Sequence, residues 1–291
     1  MRPTRRMVRL CAVLALIGGL SLSWIAGSFM VRGEPASVPA AEPPAQDFRI
    51  RTPEGLTLAA TYWPGRHPAA PAILLLHGVK ASRASTAPTA AWLHGLGYAA
   101  LTVDFRGHGQ SDMAPRSFGL RESADARAAF DWLKRRQKSA PVAVIGNSLG
   151  GAAALLGRRG PLPAEALILQ AVYPDIRRAI RNRIADRLTA APAYLLEPLL
   201  SLQSRPRFGV WPGELSPRKA LSSYPGPVFV IGGERDRYTP PDETRALFAA
   251  APGPKSLWLV PGKGHAAIGQ LSDESYRARI AAFLHSTVGA P

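Results

Sequence analysis

From residue 47 onward, unbroken apolar runs alternate with stretches in which apolar residues recur every third or fourth position. The runs are "AILLLHG" (72–78), "AALTVDF" (99–105), "VAVIG" (142–146), "ALILQAV" (166–172), "VFVIGG" (228–233) and "SLWLVPG" (256–262). A strand covered by helices on both faces has to be apolar at both parities, so these runs predict parallel strands. The stretches between them have helical spacing. In "ESADARAAFDWLKRRQ" (122–137), Ala126, Ala129, Phe130 and Leu133 share one helix face. Ahead of the first run, "FRIRT" and "LTLAATYW" flank the turn signal "PEG", which predicts an antiparallel pair. The alternation predicts an α/β chain, a doubly wound and mostly parallel sheet, over residues 47–291.

Residues 175–224 break the alternation with a connection too long for an ordinary loop. Ile176, Ile180, Ile184 and Leu188 recur every four positions there, with Arg177, Arg178, Arg181, Arg183 and Arg187 among them. The pattern predicts an amphipathic helix with a cationic outer face. The apolar run "AYLLEPLLSL" follows. The expectation is a helical cap over the substrate site, with Leu195 to Leu202 lining its entrance.

The N-terminus has a different pattern. Arg2, Arg5, Arg6 and Arg9 precede the uncharged stretch Leu10 to Val31. As a helix this stretch would be about 33 Å long, enough for a bilayer core. Its length favours an uncleaved signal-anchor over residues 1–32, with the arginines inside and the following domain outside the cytoplasm. Cleavage near "AGS" (26–28) or "VPA" (38–40) would instead release a secreted protein. Residues 33–46 are rich in Pro and Ala and read as an extended linker.

Charge adds a large cationic excess, +16, carried by 30 Arg and 6 Lys. The arginines are scattered, with neither a basic run nor aromatic-basic interleaving, so no nucleic-acid partner is expected. The single cysteine, Cys11, lies in the apolar N-terminal stretch, leaving the domain without an internal disulfide. There is no zinc-type Cys/His spacing, dinucleotide fingerprint or Walker sequence. The expectation is no metal and no cofactor.

The candidate chemistry begins where "VAVIGNSLGG" (142–151) ends an apolar run in Gly-x-Ser-x-Gly. In that context the pentapeptide predicts a tight strand-to-helix turn that lifts the Ser148 hydroxyl above the sheet edge. Small residues on either side keep side chains from colliding across the turn. The following helix points N–H groups toward whatever is bound beside Ser148.

With "LLLHG" (74–78), "DFRGHGQSD" (104–112), "GGERDRYTP" (232–240) and "GKGH" (262–265), the chain resembles the α/β-hydrolase family over residues 47–287. It is most similar in pattern to the bacterial esterase, lysophospholipase and serine-aminopeptidase-like branches, which "SFGLRESADARAAFDWL" (117–133) also resembles. The resemblance implies Ser148 as nucleophile, Asp236 as acid and His265 as base, in the order nucleophile, acid, histidine. It also implies an oxyanion hole made by the backbone N–H groups of Val79 and Leu149.

Chemistry asks for the same roles. A serine hydroxyl attacks only when a neutral imidazole takes its proton, and a carboxylate fixes that imidazole's tautomer. Among the other histidines, His67 and His94 lie in polar or helical surroundings, His285 is near the chain end, and His77 and His108 belong to loop motifs. Glu234 and Asp175 are the rival acids, whereas Asp104 and Asp112 read as braces of the "RGHG" loop.

The expected activity is hydrolysis of a small-molecule or lipid-like acyl ester through an acyl-enzyme, near a membrane contacted by the N-terminal helix. A serine aminopeptidase is the alternative enzyme. It would need an acidic clamp, for which the cap offers only Asp175, Asp186, Glu197 and Glu214. A non-catalytic binding module on the same fold is the alternative outside enzymes.

Overall fold

Eight strands form one sheet in the computed structural model, which describes residues 5–138 and 140–291; Arg2 lies outside the described residues. They are β1 (Gln46–Arg51), β2 (Thr57–Trp63), β3 (Ala72–Leu76), β4 (Ala99–Val103), β5 (Val142–Asn147), β6 (Ala166–Gln170), β7 (Val228–Gly233) and β8 (Lys255–Val260). Across the sheet the order is β1-β2-β4-β3-β5-β6-β7-β8. The β1–β2 hairpin is antiparallel and β2 runs antiparallel to β4, while every other neighbouring pair is parallel. Winding reverses at β3, which has β4 on one side and β5 on the other. Open α/β sheets bind ligands in the crevice beyond strand ends at such a reversal.

Eleven helices are described: α1 (Arg5–Val31), α2 (Ala87–Leu96), α3 (Glu122–Arg136), α4 (Leu149–Leu155), α5 (Ile176–Arg187), α6 (Ala190–Ser201), α7 (Ser204–Phe208), α8 (Pro217–Leu221), α9 (Pro241–Ala250), α10 (His265–Ile268) and α11 (Glu274–Val288). The apolar runs serve both faces of the sheet. Leu74, Leu76, Val144 and Leu167 pack with Phe130 and Leu133 of α3 and Leu247 of α9. Their neighbours Ile73, Leu75, Ile145 and Ile168 pack with Leu93 of α2 and Ile280 and Leu284 of α11. Period-two side-chain alternation therefore produces two cores from one run of residues.

Helices α5 to α8 fill the long connection between β6 and β7. Their core is small: Tyr173, Ile176, Ala179, Ile180 and Leu215, joined by Met30 of α1 and by Phe118. Two expectations for this region fail. The first is the place of Arg183 on the cationic outer face of α5: Arg177, Arg178 and Arg187 are exposed as expected, with Arg177 bridging to Glu197 of α6 and Arg178 to Asp175, but Arg183 is not among them. Arg183 stands three residues after Ile180 and seven after Ile176, so helical geometry puts it on the inward stripe. The second failure concerns α6, whose buried positions are Ala193, Glu197 and Ser201. With that stripe turned inward, Leu195, Leu196, Leu199 and Leu202 face outward.

Helix α1 is long and apolar enough to cross a membrane. Its final turns rest on the cap. Gln203 donates to the Ser23 carbonyl (2.9 Å), and Arg207 to the Trp24 carbonyl (2.8 Å) and the Ser28 hydroxyl (2.9 Å). The Arg207 guanidinium also covers the Trp24 ring at 3.9 Å. Gly27 permits this approach, since a Cβ there would stand 2.0 Å from Gln203 Oε1. The Pro/Ala-rich segment is not a free tether either. Glu34–Pro35 pairs in parallel with His108–Gly109, and the Glu34 and Ala36 N–H groups donate to the Gly107 and Gly109 carbonyls (2.6 and 3.0 Å). The "RGHG" loop leaves an edge of backbone acceptors unpaired, and the linker satisfies it.

Candidate active site

Ser148 follows the last residue of β5 and stands at φ 49°, ψ −106°, a strained backbone position for a residue with a side chain. The turn that imposes it is possible only with glycine nearby. A Cβ on Gly150 would stand 2.2 Å from the Leu76 carbonyl oxygen of β3, and one on Gly146 would stand 2.6 Å from the Gly151 backbone. The elbow is thus pressed against the adjacent strand, with the hydroxyl carried above the sheet edge.

His265 opens α10, just beyond β8, and Asp236 lies on the loop after β7. His265 Nε2 is 3.3 Å from Ser148 Oγ, and His265 Nδ1 is 2.8 Å from Asp236 Oδ2. An N–H at Nδ1 donating to the carboxylate leaves Nε2 as an acceptor facing the serine hydroxyl. The structure therefore brings together all three residues singled out by the sequence.

Asp236 is 3% exposed and well supplied with donors. Its Oδ1 accepts from the backbone N–H of Tyr238 and Thr239 (2.8 and 2.9 Å), and its Oδ2 accepts from Thr239 Oγ1 (2.6 Å). Burial alone would raise its pKa. The hydrogen bond and charge of His265, together with the Thr239 donors, outweigh burial and hold the carboxyl below its ordinary value. The sequence reading missed Thr239. The Asp-x-x-Thr spacing ahead of "PP" was its signal, since such turns fold the threonine back onto the aspartate.

Ser148 faces a pocket of about 320 Å³. Val79 and Leu149 line it beside the serine, with Lys80 at its rim. The cap covers it with Ile176, Ala179, Ile180 and Arg183 of α5, and Phe29 and Met30 of α1 close one side. Leu195 to Leu202 take no part, so the apolar lining comes from α1 and α5 instead. Arg183 is the second residue whose position the sequence did not disclose. Its Nη1 donates to the Ala179 carbonyl (2.9 Å), its guanidinium lies 4.9 Å from the Tyr238 ring centroid, and it makes no ion pair among the described residues. Burial pulls its pKa below the ordinary arginine value.

The rival residues lie elsewhere. His77 is buried, with Nδ1 2.7 Å from the Gly78 carbonyl and Nε2 accepting from the Phe105 N–H (3.1 Å). Burial and the neighbouring His108 push it down to about 4, so it is a neutral loop brace. Asp104 accepts from the backbone and guanidinium of Arg83 and from the Gln110 N–H. Asp112 accepts from the Thr57 N–H (2.7 Å), and Glu234 from the Gly262 N–H (3.2 Å). Asp175 caps α5 by accepting from the Arg178 N–H (3.0 Å). Among the described residues no cluster of His, Cys, Asp or Glu is arranged to hold a metal ion.

Comparison with known proteins adds sequence relatives to this geometry. The family described as "Serine aminopeptidase, S33" matches residues 67–205, a span that includes Ser148 and the first part of the cap. An uncharacterised protein of Mycobacterium tuberculosis is 30% identical over 271 residues, covering 89% of this chain and 88% of its own length. The lysophosphatidylserine lipase ABHD12 of Gallus gallus is 39% identical over 118 residues, which is 38% of this chain and 30% of that protein. Among solved structures, the esterase Pf2001 of Pyrococcus furiosus superposes with a TM-score of 0.70 at 22% identity, over 89% of this chain and 99% of its own. That last likeness speaks to the fold alone. With the S33 family's model matched over residues 67–205 and the sequence matched across most of a bacterial relative, this protein belongs to the α/β-hydrolase superfamily, in the region described by the S33 serine aminopeptidase family.

Proposed function

We propose that this protein is a serine hydrolase that cleaves carboxylic acyl esters through a covalent acyl-enzyme on Ser148. The observation that carries this reading is the line Ser148 Oγ, His265, Asp236, with contacts of 3.3 and 2.8 Å, at the wall of an apolar pocket. The longer contact suits a resting site, where such hydrogen bonds tighten only with substrate present.

The steps follow from the donors and acceptors. Ser148 Oγ attacks the acyl carbonyl carbon as His265 Nε2 takes its proton. The carbonyl oxygen becomes an oxyanion held by the Val79 and Leu149 N–H groups, each worth roughly 3–4 kcal/mol of barrier. The intermediate collapses, the C–O bond to the alcohol breaks, and His265 returns the proton to the departing oxygen. Water then repeats the sequence on the acyl-serine. Asp236 holds the imidazole tautomer and stabilises the imidazolium throughout.

An aminopeptidase needs a free carboxylate near the site for the substrate's ammonium. The four cap acids are already engaged: Asp175 with Arg178, Asp186 with Arg237, Glu197 with Arg177 and Arg181, and Glu214 with the Trp211 N–H. Lys80, Arg116 and Arg183 line the pocket instead. This charge pattern supports neutral or anionic esters. It agrees with the lipase named among the relatives, whose substrate is a lysolipid.

Helix α1 is read as a retained membrane anchor, with Arg5, Arg6 and Arg9 on the cytoplasmic side and the hydrolase domain outside the cytoplasm. Its contacts through Ser23, Trp24 and Ser28 favour retention, since cleavage near residues 26–28 would remove part of the seat. Fluorophosphonate labelling tests the hydrolase reading. Ser148 should carry the label in the full chain, and labelling that persists in Ser148→Ala would overturn it.

A further inference from the structure

Phe29 of α1 stands between two cavities. On one side is the pocket that holds Ser148. On the other is a groove of about 610 Å³ between Ile25, Ser28 and Phe29 of α1 and the strip Met113, Ala114, Pro115. Phe29 borders both and is 66% exposed, so its ring stands where the outer groove meets the pocket of Ser148.

The depth of this groove follows from helix length. Leu10 to Val31 is one hydrocarbon thickness, about 33 Å, but the part before Ser23 is only about 20 Å and cannot cross alone. If α1 spans the bilayer, the turns from Ser23 onward lie in the outer half of the hydrocarbon layer. Those are the turns seated on Gln203 and Arg207. Helix α6 lies against the same turns, with the Ser23 hydroxyl donating to the Leu199 carbonyl (2.8 Å). The exposed side chains of Leu195, Leu196, Leu199 and Leu202 would then sit at the same depth. An outward apolar face on this scale is costly in water and ordinary in lipid. The exposed Tyr194 and Trp211 suit the interfacial layer beside it.

We propose that the last turns of α1 form a wall of the substrate site, and that the acyl chain of a bilayer-resident ester reaches Ser148 sideways, along the groove beside Met113 and past Phe29. The inference rests on the ester-hydrolase reading of Ser148 and on α1 as anchor. It adds the substrate class, a long-chain acyl ester dissolved in the membrane, and assigns Phe29, Met30 and Met113 to its path. The apolar side chains of Ile176 and Ile180, both buried, receive the chain on the pocket side.

The test uses the full chain carrying Ser148→Ala, reconstituted in phosphatidylcholine vesicles that contain a palmitoyl lysolipid with a diazirine near the chain terminus. Photolysis should attach the probe at Ile176 or Ile180, as well as along the lipid-facing side of α1. Adding Met113→Trp, which fills the groove, should lower attachment at the two isoleucines at least about fivefold and leave attachment at Leu14 and Leu16 unchanged. Labels confined to α1 and the α6 leucines, or isoleucine labels indifferent to Met113→Trp, overturn the proposal. Photolysis expels dinitrogen from the diazirine and inserts the resulting carbene, while the ester bond stays intact, so the outcome is independent of whether Ser148 is the nucleophile, which fluorophosphonate labelling decides separately. With Ser148 intact, Met113→Trp should lower the ratio of palmitoyl-ester turnover in vesicles to butyryl-ester turnover in water at least about fivefold. Equal slowing of both would mean a general disturbance of the site rather than a blocked route.

Discussion

Around Ser148 the neighbours are buried strand ends, two full cores lie beneath, and glycines are the only residues the spacing allows. Around Phe29 the neighbours are short helices over one small cluster, linked by arginines, with large apolar side chains turned outward. The first region leaves no room for a larger side chain at Gly146 or Gly150. The second leaves room for rings and helices to shift. On the proposed reading, bond-breaking groups sit on the rigid half and substrate-selecting surfaces on the looser half, which lets selectivity change without disturbing the reaction geometry.

The largest effect should come from Ser148→Ala, which removes the proposed attacking atom. Turnover of a short ester should fall by roughly 10⁴–10⁶-fold with the fold intact by circular dichroism. Next is Gly150→Ala, whose added methyl meets the Leu76 carbonyl oxygen at 2.2 Å. It should destabilise the protein by about 3 kcal/mol, seen as a Tm loss of roughly 6–12 °C. Displacing the nucleophile should also cost about 100-fold in kcat/KM. An unaltered Tm would show that the elbow is less constrained than its spacing implies.

Thr239→Val should act more gently. Burial raises the Asp236 pKa, while His265 and Thr239 pull it below the ordinary value. Without the threonine hydroxyl the Asp236 pKa rises and the carboxylate that orients His265 is held less firmly, so kcat/KM should fall roughly 3–10-fold at neutrality and further toward low pH, where Asp236 begins to protonate. The sign for stability is the same. A depressed carboxyl pKa contributes stability present above 3.8, its unfolded value, and lost as pH falls through the folded one. The variant should therefore lose some acid tolerance as well. A loss that does not deepen toward low pH would separate Thr239 from the ionisation of Asp236.

The smallest effect on turnover should come from Glu197→Gln, on the cap side of the comparison. Losing the charge that holds Arg177 and Arg181 should ease local opening of α5 and α6 by about 1–2 kcal/mol, read as faster amide exchange in those helices. Hydrolysis of a short ester should change less than about twofold. If it falls as far as in Gly150→Ala, the division between a rigid reacting half and a looser selecting half does not hold.

Much of this was legible in the chain, and for a physical reason. Six apolar runs became six parallel strands, because a strand buried on both faces has no other composition available. The turn at Ser148 was legible because its glycines answer a local steric demand. Placing Asp236 and His265 beside it took family resemblance, since nothing local says that loops after β7 and β8 converge on β5. Thr239, Arg183 and the α6 leucines were lost for one common reason. Each depends on which side of a short segment faces inward, and in the cap that choice is made by buried Glu197 and Ser201 rather than by the most apolar stripe. The docked course of residues 34–36 was equally hidden, because its partners are backbone atoms of the "RGHG" loop.

That backbone pairing has a kinetic consequence. A long free leash would let the domain sample a hemisphere of solution and meet substrate in three dimensions. Pairing of Glu34–Pro35 with His108–Gly109, directly after α1 ends at Val31, leaves almost no slack between helix and hydrolase. With α1 as the anchor proposed above, such an enzyme would work in two dimensions. Its rate on a membrane-borne ester should follow the mole fraction of that ester in the surface, and diluting vesicles at constant composition should leave the rate per enzyme unchanged.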